Sequence, residues 1–235
     1  MGEALMNLWL FRMLRSSVGR KVLMAITGLL LIGFLVSHLS GNLLVFAGRD
    51  AMNDYAQFLK EHPGLIWGAR IGLLAIFLVH VITGLTLAAE NKAARPIPYQ
   101  KEACIQASLP SRTMARTGLL VFVFVVYHLL HFTFGVVQAS KHAKHLEGLR
   151  YDVYDMVVLS FHNPIIALSY IVAILVLWMH LWHGASSFFQ SLGWNHPKYR
   201  PVFEKVGPVL STILCLGFLS IPLSAWLGIL KAGGM

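Results

Sequence analysis

Apolar residues run in five long blocks, at about 22–47, 66–89, 117–138, 164–190 and 206–230. Polar stretches between them hold nearly all the charge. A helix needs roughly 20 apolar residues to cross a bilayer, and every block is long enough. Runs this continuous lack the alternation of a barrel strand, and an unpaired strand leaves its backbone unsatisfied in lipid. The pattern predicts an all-α membrane protein, one integral domain over 1–235 with five transmembrane helices. Its connections, 48–65, 90–116, 139–163 and 191–205, are too short to hold a catalytic domain. Asn163-Pro164 reads as a cap and first helical residue, so the fourth span starts near Pro164. Residues 152–162 read as a short interfacial segment before it, and Pro208 and Pro222 as interruptions of the last span. Trp67, Trp194 and Trp226 fall at span edges, where indoles favour the headgroup level. Residues 1–20, with Leu5, Leu8, Trp9, Phe11 and Met13 among polar neighbours, read as an amphipathic lead at the inner membrane surface or against a partner. The first block exceeds the roughly 7–15 apolar residues of a cleavable signal. No clear sequence repeat is expected.

Composition agrees with this picture, at 57% hydrophobic and 12% charged. The net charge of +9 raises nucleic acid as a partner, but its placement points to topology. Twelve of the 19 basic residues lie in the N-terminal segment and the even-numbered loops, from Arg12, Arg15, Arg20 and Lys21 to Lys198, Arg200 and Lys205. The other side mixes seven basic residues with Asp50, Asp54, Glu61, Glu147, Asp152 and Asp155. The positive-inside rule then puts the N-terminus in the cytoplasm and the C-terminus outside, in the cytoplasmic (inner) membrane. The two cysteines, Cys104 in a loop and Cys215 in the fifth span, cannot build an iron–sulfur centre or a structural zinc site. Such centres would have to come from another chain. No C-x-x-C-H occurs, so any haem is held by coordination and packing.

Histidines inside the spans carry the chemistry. His38 lies 11 residues before Arg49, and His128 lies 13 before Lys141 on a span running the same way. His80 lies 10 residues before Glu90, and His180 lies 10 before Gln190, again on parallel spans. At about 1.5 Å rise per residue, each pair shares a depth and the two levels differ by roughly 10 Å. An intramembrane ionisable residue points to function by default. Two level-matched pairs fit two stacked haems with two imidazoles each, enclosed by four helices with the fifth outside them. Bis-imidazole iron has no open position and carries electrons. Zinc or copper would need its ligands to converge at one level. His131 and His183, one turn from His128 and His180, are the alternative ligands. The depth match favours His128 and His180, leaving His131 and His183 near haem propionates or bonded to a backbone carbonyl. Gly33, Gly41, Gly84, Gly135 and Gly184 lie near the histidines and would give the flat macrocycle clearance. The plain alternative is polar histidines bonding helix to helix.

These residues carry a family resemblance. The segments are Ser16-Ser17-Val18-Gly19-Arg20-Lys21, Ser37-His38-Leu39-Ser40-Gly41-Asn42, Arg70-Ile71-Gly72-Leu73 with His80, Tyr127-His128-Leu129-Leu130-His131-Phe132, and His180-Leu181-Trp182-His183-Gly184 continuing to Ser191-Leu192-Gly193-Trp194. Over nearly its whole length the chain resembles the di-haem cytochrome b membrane anchor of succinate dehydrogenase and fumarate reductase complexes, in its single-subunit, five-helix form. The resemblance implies His38–His128 on an outer haem b and His80–His180 on an inner haem b. It also implies a flavoprotein subunit and an iron–sulfur subunit docked on the cytoplasmic face, electron exchange with menaquinone or ubiquinone, and a dimer of complexes. The chain would then be the part of that enzyme that does not bind dicarboxylate, with no catalytic residue of its own.

Several side chains are candidates for the cofactors' polar edges. Arg70, the one charge inside a span, either snorkels to the outer headgroups or pairs with an outer haem propionate. Arg20, Lys21 and Arg116 are candidates for the inner propionates, against a plain flanking role. A quinone carbonyl would find donors among Asn42, Asn53, Tyr55, Gln57 and His62 outside, or Ser17, Arg20 and His183 inside. No Asp or Glu lies in a span, so no carboxylate proton relay is evident. Two other readings stand beside this one. They are the cytochrome b of another respiratory complex, of hydrogenase or formate dehydrogenase type, and a haem-free transporter or anchor.

Overall fold

The computed structural model describes residues 12, 16–95, 97, 107–139 and 151–233. Most of the amphipathic lead at 1–20, and Cys104, lie outside the described residues. Seven α-helices make up the described fold: α1 (Ser17–Asn42), α2 (Arg49–Glu61), α3 (Pro63–Ala93), α4 (Leu109–His128), α5 (Val153–Phe161), α6 (Pro164–Ser191) and α7 (Arg200–Trp226). Five of them are long and apolar enough to cross a membrane: α1 with its continuation to Ala47, α3, α4 with its continuation to Thr133, α6 and α7. The described residues form a helical, multi-pass membrane protein.

Local chemistry sets the helix ends. Ser16 Oγ accepts from the Gly19 amide at 3.0 Å and caps α1. Pro63 opens α3, where a missing N–H costs nothing. Asn163 Oδ1 accepts from the Ile165 amide at 3.0 Å, and Pro164 is the first residue of α6, as the sequence predicts. The third span begins at Leu109, earlier than its apolar block, because Pro110 sits in the first turn where proline is tolerated. It ends at Thr133 rather than 138, in a π-turn over Leu129–Thr133 that carries His131, with Gly135 at φ 63° just beyond. Such turns insert one extra residue into the helix and concentrate at functional sites.

Residues 153–161 form α5, capped by Asp152, with Tyr154, Met156, Val157, Val158, Ser160 and Phe161 buried. The prolines expected to interrupt the last span do not break it, since α7 runs unbroken through Pro208 and Pro222. Proline at 208 leaves the Glu204 carbonyl without its helical donor, and Ser186 Oγ on α6 donates to it at 3.2 Å.

The described residues fall into two compact units. One draws on 1–33, 73–118 and 179–211, the other on 34–72, 119–178 and 212–235. In the first, α6 and α7 approach so closely that a Cβ on Gly207 would lie 2.1 Å from the Trp182 carbonyl oxygen. The second holds an apolar core of Val45, Met52, Val158, Phe161, Tyr170, Ile221 and their neighbours. Its polar edge is a knot of side chains. Arg49 pairs with Asp152 and, at 3.3 Å, with Asp155, while Asn53 donates to Asp152 at 3.0 Å.

Candidate functional site

Each unit contains one cross-helix histidine pair. In the first, His80 of α3 faces His180 of α6, ring centroids 6.5 Å apart. In the second, His38 of α1 faces His128 of α4 at 5.9 Å. A metal–imidazole nitrogen bond is about 2 Å, and the ring centre lies about 1.1 Å behind the nitrogen, so two rings sharing one metal stand about 6.2 Å apart. Both separations are within a few tenths of an ångström of that value. Separations of this size would admit one shared metal at each pair, and they lie also within the ordinary range of packed aromatic rings.

The surroundings of His80 and His180 match. Thr27 Oγ1 on α1 lies 3.0 Å from His80 Nδ1, and Thr117 Oγ1 on α4 lies 3.3 Å from His180 Nδ1. A Cβ on Gly28 would come within 3.3 Å of His80 Cε1, and one on Gly118 within 3.1 Å of His180 Cε1. One turn along each histidine helix, a Cβ on Gly84 would lie 3.5 Å from the Met24 methyl, and one on Gly184 3.5 Å from the Met114 methyl. The match follows a repeat that the sequence reading passed over. Met24, Thr27, Gly28 and His38 recur 90 residues later as Met114, Thr117, Gly118 and His128, and His80 and Gly84 recur 100 residues later as His180 and Gly184. The M-x-x-T-G spacing was the available signal, obscured by the apolar residues around it.

The glycines tightest against the paired rings, Gly28 and Gly118, are not among those chosen from the sequence. Gly28 and Gly118 make room for the imidazoles themselves, whereas Gly33 has open space around its Cβ position. Gly41 instead seats the Tyr55 ring, and Gly135 serves the turn after α4 through its positive φ.

The His38–His128 pair is asymmetric. His128 Nδ1 faces the Tyr170 hydroxyl on α6 at 3.3 Å. His38 lies beside the Asn42 amide, which donates to the His38 carbonyl at 2.8 Å and stands 3.5 Å from Nδ1. Phe34 stacks on the His38 ring, and Phe218 of α7 comes within 6.1 Å of it. The membrane-spanning helix without histidine, α7, thus contributes an aromatic ring beside His38.

His131 is buried, with Nδ1 2.9 Å from the Tyr170 hydroxyl and Nε2 3.3 Å from Gln138 Oε1. His183 is half-buried, and it is His180 that faces His80. Arg70 is exposed, its guanidinium over the Trp67 indole at 5.2 Å, one turn toward the start of α3. Arg20 pairs with Glu90 at 2.7 Å, yet its Nε is buried and has no hydrogen-bond partner among the described residues. An open guanidinium donor suits an anionic group such as a propionate. His162 Nε2 is likewise buried without a partner among the described residues, a position the sequence reading did not single out.

Several of the proposed quinone donors already have partners. Asn53 is buried and committed, donating to Asp152 and accepting from the Tyr154 amide. Gln57 donates to Glu61, and His62 Nδ1 lies against the Phe58 carbonyl at 2.8 Å. Ser17 and Tyr55 are exposed.

The chain matches no family model, no curated protein and no solved structure.

Proposed function

We propose that this chain is the di-haem, quinone-reactive membrane anchor of a succinate:quinone or quinol:fumarate oxidoreductase, with its N-terminus in the cytoplasm. The observation that carries the reading is the two cross-helix imidazole pairs, at 6.5 and 5.9 Å, each inside its own unit of a membrane-spanning helical protein. His80 and His180 hold the inner haem b, and His38 and His128 the outer. A bis-imidazole haem supplies one-electron transfer with no open position for oxygen. The chain's own residues do the rest. The imidazoles present neutral nitrogens in lipid, and Gly28 and Gly118 let the inner rings seat against α1 and α4. Arg20 keeps an Nε donor open on the inner side. A flavoprotein subunit carries the dicarboxylate chemistry, and an iron–sulfur subunit joins it to this chain at the basic cytoplasmic loops. The motif segments running from Ser16 to Trp194 support this family over the hydrogenase and formate dehydrogenase types.

The test is a pyridine haemochrome assay with protein quantitation on the purified complex. The expected result is two b haems per copy of this chain, co-purifying with a flavoprotein. Intact, fully assembled protein without haem would sink the reading and favour a haem-free anchor. Two haems beside a hydrogenase or formate dehydrogenase subunit would move the chain to that complex.

A further inference from the structure

Three hydroxyls sit against three of the four paired histidines, and in each the hydroxyl proton is already committed elsewhere. Thr27 Oγ1 donates to the Leu23 carbonyl at 2.8 Å. Its oxygen can therefore only accept from His80 Nδ1, 3.0 Å away. Thr117 Oγ1 donates to the carbonyls of Thr113 and Met114, both at 3.1 Å, and faces His180 Nδ1 with its lone pairs. The Tyr170 hydroxyl lies between two histidines. Gln138 Oε1 is an acceptor only, so the His131 nitrogen facing it, Nε2, carries the proton. That leaves His131 Nδ1 bare, to accept from Tyr170 at 2.9 Å. The Tyr170 oxygen then accepts from His128 Nδ1 at 3.3 Å.

A neutral imidazole has one N–H. In all three rings it is held on Nδ1, so the Nε2 lone pair is bare and available to a metal. Back-bonding of threonine to its own helix is common and by itself means nothing. Thr86 and Thr113 do the same with no histidine attached. What separates Thr27 and Thr117 is that the repeat puts both against a paired ring, each followed by the glycine that admits it.

We propose that Thr27, Thr117 and Tyr170 are positioning residues that fix His80, His180 and His128 as Nδ1–H tautomers and set the electron richness of the haems they ligate. This rests on the di-haem reading above. An acceptor on Nδ1–H pushes density toward Nε2, makes the imidazole a stronger donor and favours ferric over ferrous iron. Two such acceptors serve the inner haem, one the outer. His38 has the Asn42 amide nitrogen beside its ring instead, 3.5 Å from Nδ1 and 3.4 Å from Nε2.

The experiment is a redox titration of both haems in the purified whole complex, comparing wild type with Thr27→Val, Thr117→Val and Tyr170→Phe. Valine keeps the shape of threonine and removes the acceptor. Each threonine variant is expected to raise the inner haem's reduced-to-oxidised ratio at fixed potential by up to about tenfold, equivalent to about 59 mV for one electron. The outer haem's curve stays in place. Tyr170→Phe does the reverse, and Thr27→Ser and Thr117→Ser, which keep the hydroxyl, restore the wild-type curve. Loss of the inner haem in the valine variants with retention in the serine variants is the same result in stronger form, since outer partners typically contribute about 10–100-fold to metal affinity. Two haems with unmoved curves, or shifts on the wrong haem, overturn this proposal alone. Wild-type complex with no haem overturns the di-haem reading and this proposal together.

Discussion

His128 and His131 lie one turn apart on the same stretch of chain, and depth alone separates them by about 4.5 Å. Hydrogen bonding separates them further. His131 has both ring nitrogens turned to side chains, Tyr170 and Gln138, whereas His128 has only Nδ1 so engaged and turns toward His38. A nitrogen already donating to an amide oxygen is a poor metal ligand, because its lone pair is replaced by a proton. His128→Ala is therefore expected to remove the outer haem and keep the inner, while His131→Ala keeps both and alters only the outer haem's potential. Haem stoichiometry and reduced-minus-oxidised spectra of the two variants make the comparison. If His131→Ala loses a haem and His128→Ala does not, the span-three assignment is wrong. The paired histidines were legible in the sequence because ionisable residues stand out in apolar spans. Thr27, Thr117 and Tyr170 were not, because a threonine or tyrosine in a membrane helix has an ordinary role bonding its own backbone or packing, and only contacts across helices give it another.

The helices are placed by small residues at contacts between them. Gly28 on α1 and Gly118 on α4 leave about the space of one imidazole, and the nearest ring carbons would lie 3.3 and 3.1 Å from an added Cβ. Alanine at either site needs a neighbour to give by only a few tenths of an ångström. A branched side chain needs more than a packed contact can yield. Gly118→Val is expected to displace His180 and abolish the inner haem, Gly118→Ala to weaken it, and neither to change the outer haem. Equal loss of both haems would mean that the glycine serves assembly rather than the ring. The five spans were legible because their hydropathy is strong, but their ends were not. Where α4 stops depends on a π-turn and a positive-φ glycine, and the continuity of α7 through Pro208 depends on Ser186 of another helix. Hydropathy records neither. The burial of α5 was missed for a similar reason: its apolar run is too short to span and its partners lie far along the chain.

For the whole molecule, charge placement predicts orientation. A cysteine introduced at Asp54 in α2 is expected to react with a membrane-impermeant maleimide in intact cells, and one at Lys198 only after lysis, by the positive-inside rule. The reverse labelling would place the Arg49–Asp152 knot in the cytoplasm. That knot ties α2 to α5 and to the last described residues, since Asp155 also accepts from the Gly233 amide at 2.9 Å. Burial pushes the Asp152 carboxyl up, but hydrogen bonds from Arg49, Asn53 and the Asp155 amide, with the Arg49 charge, outweigh it and hold the group below its ordinary range. Asp155 goes the other way, raised by burial and by the neighbouring Asp152 charge. A depressed carboxyl contributes stability above its unfolded value, about 3.9, and loses it as pH falls through the lower folded value. A raised carboxyl acts oppositely, so protonating Asp155 offsets part of the loss. Asp152→Asn is accordingly expected to cost about 1.5–3 kcal/mol at pH 7, the worth of hydrogen bonds to a charged group. The gap in thermal midpoint from wild type should then close as the pH falls from about 4 through the lower value of the folded Asp152 carboxyl, where wild type also loses the charge. A gap that stays constant with pH would show that the shape of the side chain at 152, and not its charge, secures this end of the molecule.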